Sequence, residues 1–142
     1  MELTPEKVQA DAEAVYDVIM EGGIAIVPLD VAYAIIGHKE VAIRKIFETK
    51  KRSLEKPSGM FACLDHSLTL HDLSASERKI QRALIDDYDL PFSVVAPFEP
   101  ANPGLAGVDP YVIETSSKAG TLDMLLNAGK FHNALSRLCF ER

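Results

Sequence analysis

The stretch Gly22-Gly23-Ile24-Ala25-Ile26-Val27-Pro28 narrows the fold more than any other part of this chain. A strand with one wet face alternates apolar and polar residues. A run that is apolar throughout belongs to a strand covered on both faces. Pro28 has no N–H to give a ladder and closes the strand. Ahead of it, Thr4-Pro5-Glu6 reads as a helix start, with a capping hydroxyl, proline at the first position and an acid in the first turn. Val8, Ala12, Ala14, Val15 and Ile19 then form a helical stripe through Met20, and the two glycines end it. A helix feeding a doubly covered strand implies layers of helix on sheet.

The remaining pattern mixes both element types. Glu40–Lys50 reads as an amphipathic helix with Val41, Ile43 (or Ala42), Ile46 and Phe47 inward. "KRSLEKPSG" is a loop and "MFACL" a strand. Ser74 and Glu77 make a capping box that opens a helix with Ile80, Ala83 and Leu84 as its apolar positions. "FSVVAPF" reads as a strand, "EPANPGLAGVDP" as a turn-rich loop and "YVIET" as a short strand. "TLDMLLNAG" reads as a helix ended by Gly129, and "FHNALSRLCF" as another. There is no internal repeat. The expected class is α/β (α+β): a single domain over residues 1–142 with helices on a twisted mixed sheet.

Composition excludes several classes. Hydrophobic residues make up 47% and charged residues 25%, a globular balance. No apolar run reaches the roughly 20 residues of a membrane helix, and the acidic N-terminus lacks the basic and apolar regions of a signal peptide. The two cysteines, Cys63 and Cys139, have no CxxC spacing, so the expected compartment is a reducing cytoplasm. His38, His66, His71 and His132 show no HxxxH or HExxH spacing, and no metal site is read.

Charge is uneven. Lys39 to Lys56 holds seven basic and three acidic residues, or +4, which leaves −10 for the rest of a chain of net −6. One reading is a solvated helix face with pairs such as Arg44–Glu48. The other is a confined anion site. Lys50 and Arg52 stand two apart where the helix ends, and arginine grips phosphate oxygens with a planar fork while lysine adds a point charge. No Walker loop or Rossmann fingerprint is present.

Three other places carry candidate chemistry. Asp30 and Tyr33 lie at a strand exit, the usual place of a ligand crevice in an open sheet. The plainer reading makes Asp30 an N-cap and Tyr33 a core aromatic. Ser93 is the only hydroxyl in its apolar strand, either tolerated in the core or turned toward a ligand. "ETSSKAGT", Glu114 to Thr121, is either an anion-binding turn before a helix or an ordinary capping loop. No GxSxG or Ser-His-Asp grouping can be picked out.

In order and spacing these features resemble the Sua5/YrdC/YciO family, whose domains read "GGIVAVPTDTVYGL" followed by "IFxxKxRPxxxPL". The matching residues are Gly22, Gly23, Pro28, Asp30, Tyr33, Ile46, Phe47, Lys50, Arg52 and Pro57, with Leu90-Pro91-Phe92-Ser93 a looser counterpart of a later "PGPxT" strand. The match is strong over Glu13 to Phe61 and faint beyond Phe98. The resemblance implies a YrdC/RibB-like fold with a concave basic face. It also implies formation of threonylcarbamoyl-adenylate from threonine, bicarbonate and ATP, with Mg²⁺ accompanying the ATP, for tRNA threonylcarbamoyladenosine synthesis. By carry-over, Lys50 and Arg52 hold the triphosphate and offset charge on the leaving pyrophosphate, and Ser93 contacts the nucleotide.

The departures are specific. The family's two threonines in PTDTVYGL are Leu29 and Val31 here, and its glycine is Ala34. A histidine of threonine-specific members falls near Phe61. An arginine in a GVRxP setting is missing, with Tyr111-Val112-Ile113-Glu114 nearest to it. Leu29, Asp30, Val31, Tyr33 and Phe61 are thus the expected lining of an altered acceptor pocket, for threonine or another small amino or carboxylic acid. Losing a buried hydroxyl contact removes polar recognition outright. The family's Ser-x-Asn motif is absent, and the expectation is a domain lacking its C-terminal part. The competing functional reading is a non-catalytic module that binds tRNA or double-stranded RNA on the same basic face.

Overall fold

The computed structural model describes residues 4–30, 32–50 and 59–142. Helix α1 spans Pro5–Met20, and the Thr4 hydroxyl accepts the Lys7 N–H at 3.2 Å. Val8, Ala12 and Ile19 are buried, while Ala14 of the expected stripe is exposed. The double glycine has a steric cause. Gly22 sits at φ +95°, and a Cβ on Gly23 would stand 2.9 Å from the Val18 carbonyl oxygen. Strands β1 (Ile24–Pro28) and β2 (Tyr33–Gly37) follow as an antiparallel hairpin, closed by Leu29 N–H donating to Ala32 O at 2.7 Å.

Helix α2, Glu40–Lys50, buries Ala42, Ile46 and Phe47. Val41, expected inside, is 67% exposed. The helix docks through its small residue. A Cβ on Gly37 would lie 2.8 Å from the Ala42 Cβ, so that close approach turns Val41 outward. Arg44 pairs with Glu40 at 2.7 Å rather than with Glu48. An acid one turn N-terminal to its cation is the favourable order on a helix. The Arg44 guanidinium also lies 4.0 Å over the Tyr111 ring.

Strand β3 is only Met60–Phe61, because helix α3 (Leu64–Leu70) starts where the expected strand "MFACL" would continue. Cys63 is its cap, donating its N–H to His66 Nδ1 at 3.0 Å. Helix α4, Ala75–Asp86, opens with the expected Ser74–Glu77 box. Its buried residue is Gln81, while Ile80 is 60% exposed, a reversal of the apolar stripe. Strand β4 is Phe92–Pro97.

The last third departs most from the sequence reading. "YVIET" lies in helix α5, Pro110–Ser116, rather than in a strand. Asp109-Pro110 is a helix start, and that local signal outweighs the β-branched residues after it. Strand β5 (Ser117–Lys118) turns at Ala119-Gly120 into β6, Thr121–Leu126, the segment expected to be helical. Residues 122, 124 and 126 are each 0% exposed while those between them are half-buried, the period of two of a strand. "ETSSKAGT" therefore leads into a strand, not a helix N-terminus. Helix α6, Lys130–Glu141, closes the described chain.

Strand β6 lies between β3, parallel, and β4, antiparallel, and also pairs with β5, so the sheet is mixed as expected. The β1–β2 hairpin forms a second, two-stranded sheet. One face of β6 meets Ala62, Leu70 and Leu105. A second core joins Ala12 and Ile19 of α1 to Leu135 and Leu138 of α6, with Ala25, Ile36 and Phe61 packed against it. The fold is α+β, with helices on both sides of the sheet.

Candidate functional site

Alternation along the strands sets one face of the β3-β6-β4 sheet apart. Phe61, Leu125 and Ser93 are direct cross-strand partners and form one row. Phe61 is covered by the α1/α6 core, and its ring lies 4.6 Å from that of buried His132. Ser93 at the other end of the row is exposed. The next row holds Asp123 and Val95, which is 63% exposed. Ser93 is thus not a tolerated core serine. It projects from an open sheet face.

Asp123 was not a sequence candidate. Its Oδ1 is buried with no hydrogen-bond partner among the described residues, and burial raises its carboxyl above the usual carboxylate range, an effect His71 partly offsets. A Cβ on Gly59 would come within 3.4 Å of Oδ2. Val95, Ser116, Lys118, Ala119, Thr121 and Asp123 line a hollow of about 300 Å³ on this side of the sheet. The signal in the sequence was one acid inside an apolar run bounded by Gly120 and Asn127, which fits a strand between turns.

Three connections converge just beyond β6, at Asn127-Ala128-Gly129. Asp30 donates its N–H to Ala128 O at 2.9 Å. Asn127 Nδ2 donates to Asp89 Oδ1 at 2.9 Å and Leu90 O at 3.2 Å, and Asn133 Nδ2 donates to Asn127 Oδ1 at 2.9 Å. Asn127 and Gly129 have φ of +55° and +125°, and Gly129 is the cap of α6 rather than the end of a helix. The Asp30 carboxylate lies against Gly129, where a Cβ would meet Oδ1 at 2.7 Å. Asp30 caps no helix of its own, yet it stands at the positive end of α6. The carboxyl end of β6 therefore gathers the β1–β2 turn, the approach to β4 and the start of α6, the usual place of a crevice in an open sheet.

The expected residues divide as follows. Asp30, Ser93 and Phe61 come to this end of β6. Leu29 is half-buried in the hairpin turn, and Tyr33, expected as either a site or a core residue, is 79% exposed at the start of β2. Lys50 is exposed at the last position of α2. The far end of that helix is fixed by Glu40 N–H donating to Asp109 Oδ2 at 3.0 Å. Val31 and Arg52 lie outside the described residues, as does the rest of the basic loop from Lys51 to Ser58. Tyr111–Glu114 belong to α5. The strand that follows β4 in the sheet is β6, and it contains no arginine.

A serine–histidine pair does occur. Ser67 Oγ and His71 Nδ1 are 2.8 Å apart, and His71 Nε2 lies 2.7 Å from Leu122 O. A carbonyl only accepts, so Nε2 carries the proton and Nδ1 accepts from Ser67. Gln81 Nε2 donates to the same hydroxyl at 3.0 Å. Ser67 is 0% exposed, so this is a structural link among α3, α4 and β6 and not a nucleophile. Among the described residues no group of three or more His, Cys, Asp or Glu side chains is placed to hold a metal ion.

Neither the models of known protein families nor the curated proteins give a match. The likeness lies in solved structures. A hypothetical protein of Streptococcus mutans UA159, smu.1377c, superposes with a TM-score of 0.73 at 18% identity, over 89% of this chain and 51% of its own. E. coli YciO gives 0.68 at 14% identity, over 94% and 61%. Sua5 of P. abyssi, solved with L-threonine, gives 0.66 at 19% identity, over all of this chain and 38% of its own. The chain has a Sua5/YciO/YrdC-like fold. It spans between 38% and 61% of the length of these three proteins. No helix among the described residues is long and apolar enough to cross a membrane.

Proposed function

We propose that this chain carries a YrdC-like nucleotidyltransferase site on the open face of its mixed sheet, forming a carbamoyl-adenylate from ATP, bicarbonate and a small amino acid. The observation behind this reading is that Ser93 and Phe61 flank Leu125 near the carboxyl end of β6 and Asp30 lies at the turn just beyond it, in a fold like that of a Sua5 solved with L-threonine. The amine of the amino acid takes up bicarbonate with loss of water to give a carbamate, a carbamate oxygen attacks the α-phosphorus, the α–β anhydride breaks, and pyrophosphate leaves with the bonding electrons. That step needs positioning and charge stabilisation rather than a protein nucleophile. Lys50 and Arg52 offset the charge on the leaving pyrophosphate, and Ser93 contacts the nucleotide. A magnesium ion arrives with the triphosphate. Leu29, Val31, Tyr33 and Phe61 favour an acceptor less polar than threonine, because Leu29 and Val31 stand where the family motif has its two threonines. The adenylate would serve tRNA modification in the cytoplasm.

Titration calorimetry with magnesium–ATP, in the presence and absence of L-threonine and L-valine, tests the reading. Binding of ATP that is lost in Lys50→Ala/Arg52→Ala, with pyrophosphate release on adding bicarbonate and an amino acid, is the expected result. No ATP binding under any of these conditions refutes it. Salt-sensitive binding of tRNA that the same double change abolishes, without pyrophosphate release, would mark the face as an RNA-binding surface instead.

A further inference from the structure

The hollow beside Asp123 carries opposite charges on its walls, and the adenylation step as written uses neither. Strands β5 and β6 meet at a tight turn in which Ala119 and Gly120 have φ of +52° and +78°, the two positive values of a hairpin turn. That turn pairs Lys118 directly with Thr121, and Thr121 Oγ1 donates to Lys118 O at 2.7 Å. Direct cross-strand partners share a face, and so do residues two apart on one strand. Lys118 and Asp123 are therefore diagonal neighbours on one face of the sheet, about 7–8 Å apart. Val95, the partner of Asp123 on β4, lies on the same face and is 63% exposed. Among the described residues, Asp123 is the one acid and Lys118 the one base that line the hollow, and Val95 and Ala119 give it an apolar wall. The next row on this face, two residues or about 7 Å further along β6, is that of Ser93, Leu125 and Phe61.

We propose that this hollow seats the zwitterionic head of a small aliphatic α-amino acid, its ammonium on Asp123 and its carboxylate on Lys118. An acid and a base diagonally placed on one face present the charge pattern of a zwitterion in reverse. Asp123 Oδ1 is buried without a hydrogen-bond partner among the described residues, and a ligand ammonium would oppose the effect of burial on this carboxyl. The Lys118 ammonium carries three donors on a flexible stem, enough to reach a carboxylate beside Thr121. Exposed Val95 offers a contact for a short aliphatic side chain. A volume of about 300 Å³ is at the small end of ligand pockets, which suits an amino acid. The choice of an amino acid over another zwitterion rests on the adenylation reading, and the seat adds to it the two residues that hold the head of the acceptor.

The test titrates the whole chain with three probes, with and without magnesium–ATP, and follows the Val95 methyl and Thr121 and Asp123 amide NMR signals. L-valine carries both charges, isovalerate lacks the ammonium and isobutylamine lacks the carboxylate. L-valine should shift these signals saturably and bind about tenfold or more tightly than either analogue, since each loses one charged hydrogen bond. Asp123→Asn should remove the preference for valine over isovalerate and keep that over isobutylamine. Lys118→Met, which keeps the aliphatic stem, should do the reverse. If a variant does not fold, the order of the three probes on the wild type decides. Isovalerate or isobutylamine binding as tightly as valine overturns the proposal. So does a folded Asp123→Asn that keeps the preference over isovalerate, or valine shifts confined to Leu29–Tyr33 while Val95 stays still. Magnesium–ATP titrated alone reports on the adenylation reading separately. Valine bound in this order without ATP binding supports the seat and refutes that reading, and ATP bound with no valine response at Val95 overturns the seat alone.

Discussion

Replacing Ser67 by alanine tests the buried link among α3, α4 and β6. The wild-type hydroxyl takes the Gln81 Nε2 hydrogen at 3.0 Å and gives its own to His71 Nδ1 at 2.8 Å. Ser67, His71 and Gln81 are 0%, 3% and 5% exposed, so water cannot replace what is lost. The substitution leaves one donor and one acceptor unpaired, at about 1–3 kcal/mol each. Burying a methyl group where a hydroxyl was returns a little, which places the loss at about 1–5 kcal/mol. Gln81→Leu should cost less, because Gln81 Oε1 already lacks a partner among the described residues and Ser67 keeps its bond to His71. In the double variant the second change should add almost nothing, because the unpaired Gln81 donor goes with it. Urea unfolding followed by circular dichroism measures all three. A loss below about 0.5 kcal/mol for Ser67→Ala, at unchanged urea dependence, would show that the hydroxyl does not carry this link.

Four further outcomes are expected. Acid should weaken the fold well above the carboxylate range. Burial, with help from Arg137, lowers the His66 pKa from 6.5 to about 4, so the unfolded chain binds its proton first and stability falls as pH drops from about 6.5 toward 4, by about 3 kcal/mol at this group. His66→Gln should flatten that slope in urea titrations at pH 7 and pH 4.5. Asp123→Asn should raise Tm at pH 7. Its raised carboxyl pKa means that stability is lost as pH rises through that range, and an amide removes the charge. Gly129→Ala should cost about 2 kcal/mol or more, since φ +125° strains any side chain and the new Cβ meets Asp30. Adding Asp30→Ala should recover only the steric part. Finally, Lys50→Ala/Arg52→Ala should abolish ATP binding in calorimetry, and Lys50→Ala alone should leave the urea midpoint unchanged, because Lys50 is exposed at a helix end.

Local chemistry was legible where a short stretch satisfies its own needs. Thr4-Pro5-Glu6 starts α1, Ser74 and Glu77 bond each other across the first turn of α4, and Gly22-Gly23 turns the chain because no Cβ fits over Val18. The same stretch, with Pro28, Asp30 and Tyr33, carried the likeness to the Sua5/YrdC/YciO fold. Thr121–Leu126 was misread because a short apolar run has no flanking signal strong enough to choose between helix and strand. What makes it a strand is the backbone of β4 on one side and β3 on the other, both far away in sequence. That central strand then decides the rest. It sets Phe61, Leu125 and Ser93 in one row, buries one oxygen of Asp123 and ends at the turn that receives Asp30. The sequence by itself determined where helices begin, where the chain turns and which residue types could meet an anion. Tertiary structure decided which of them meet, because strand pairing and face selection depend on partners that no local pattern contains.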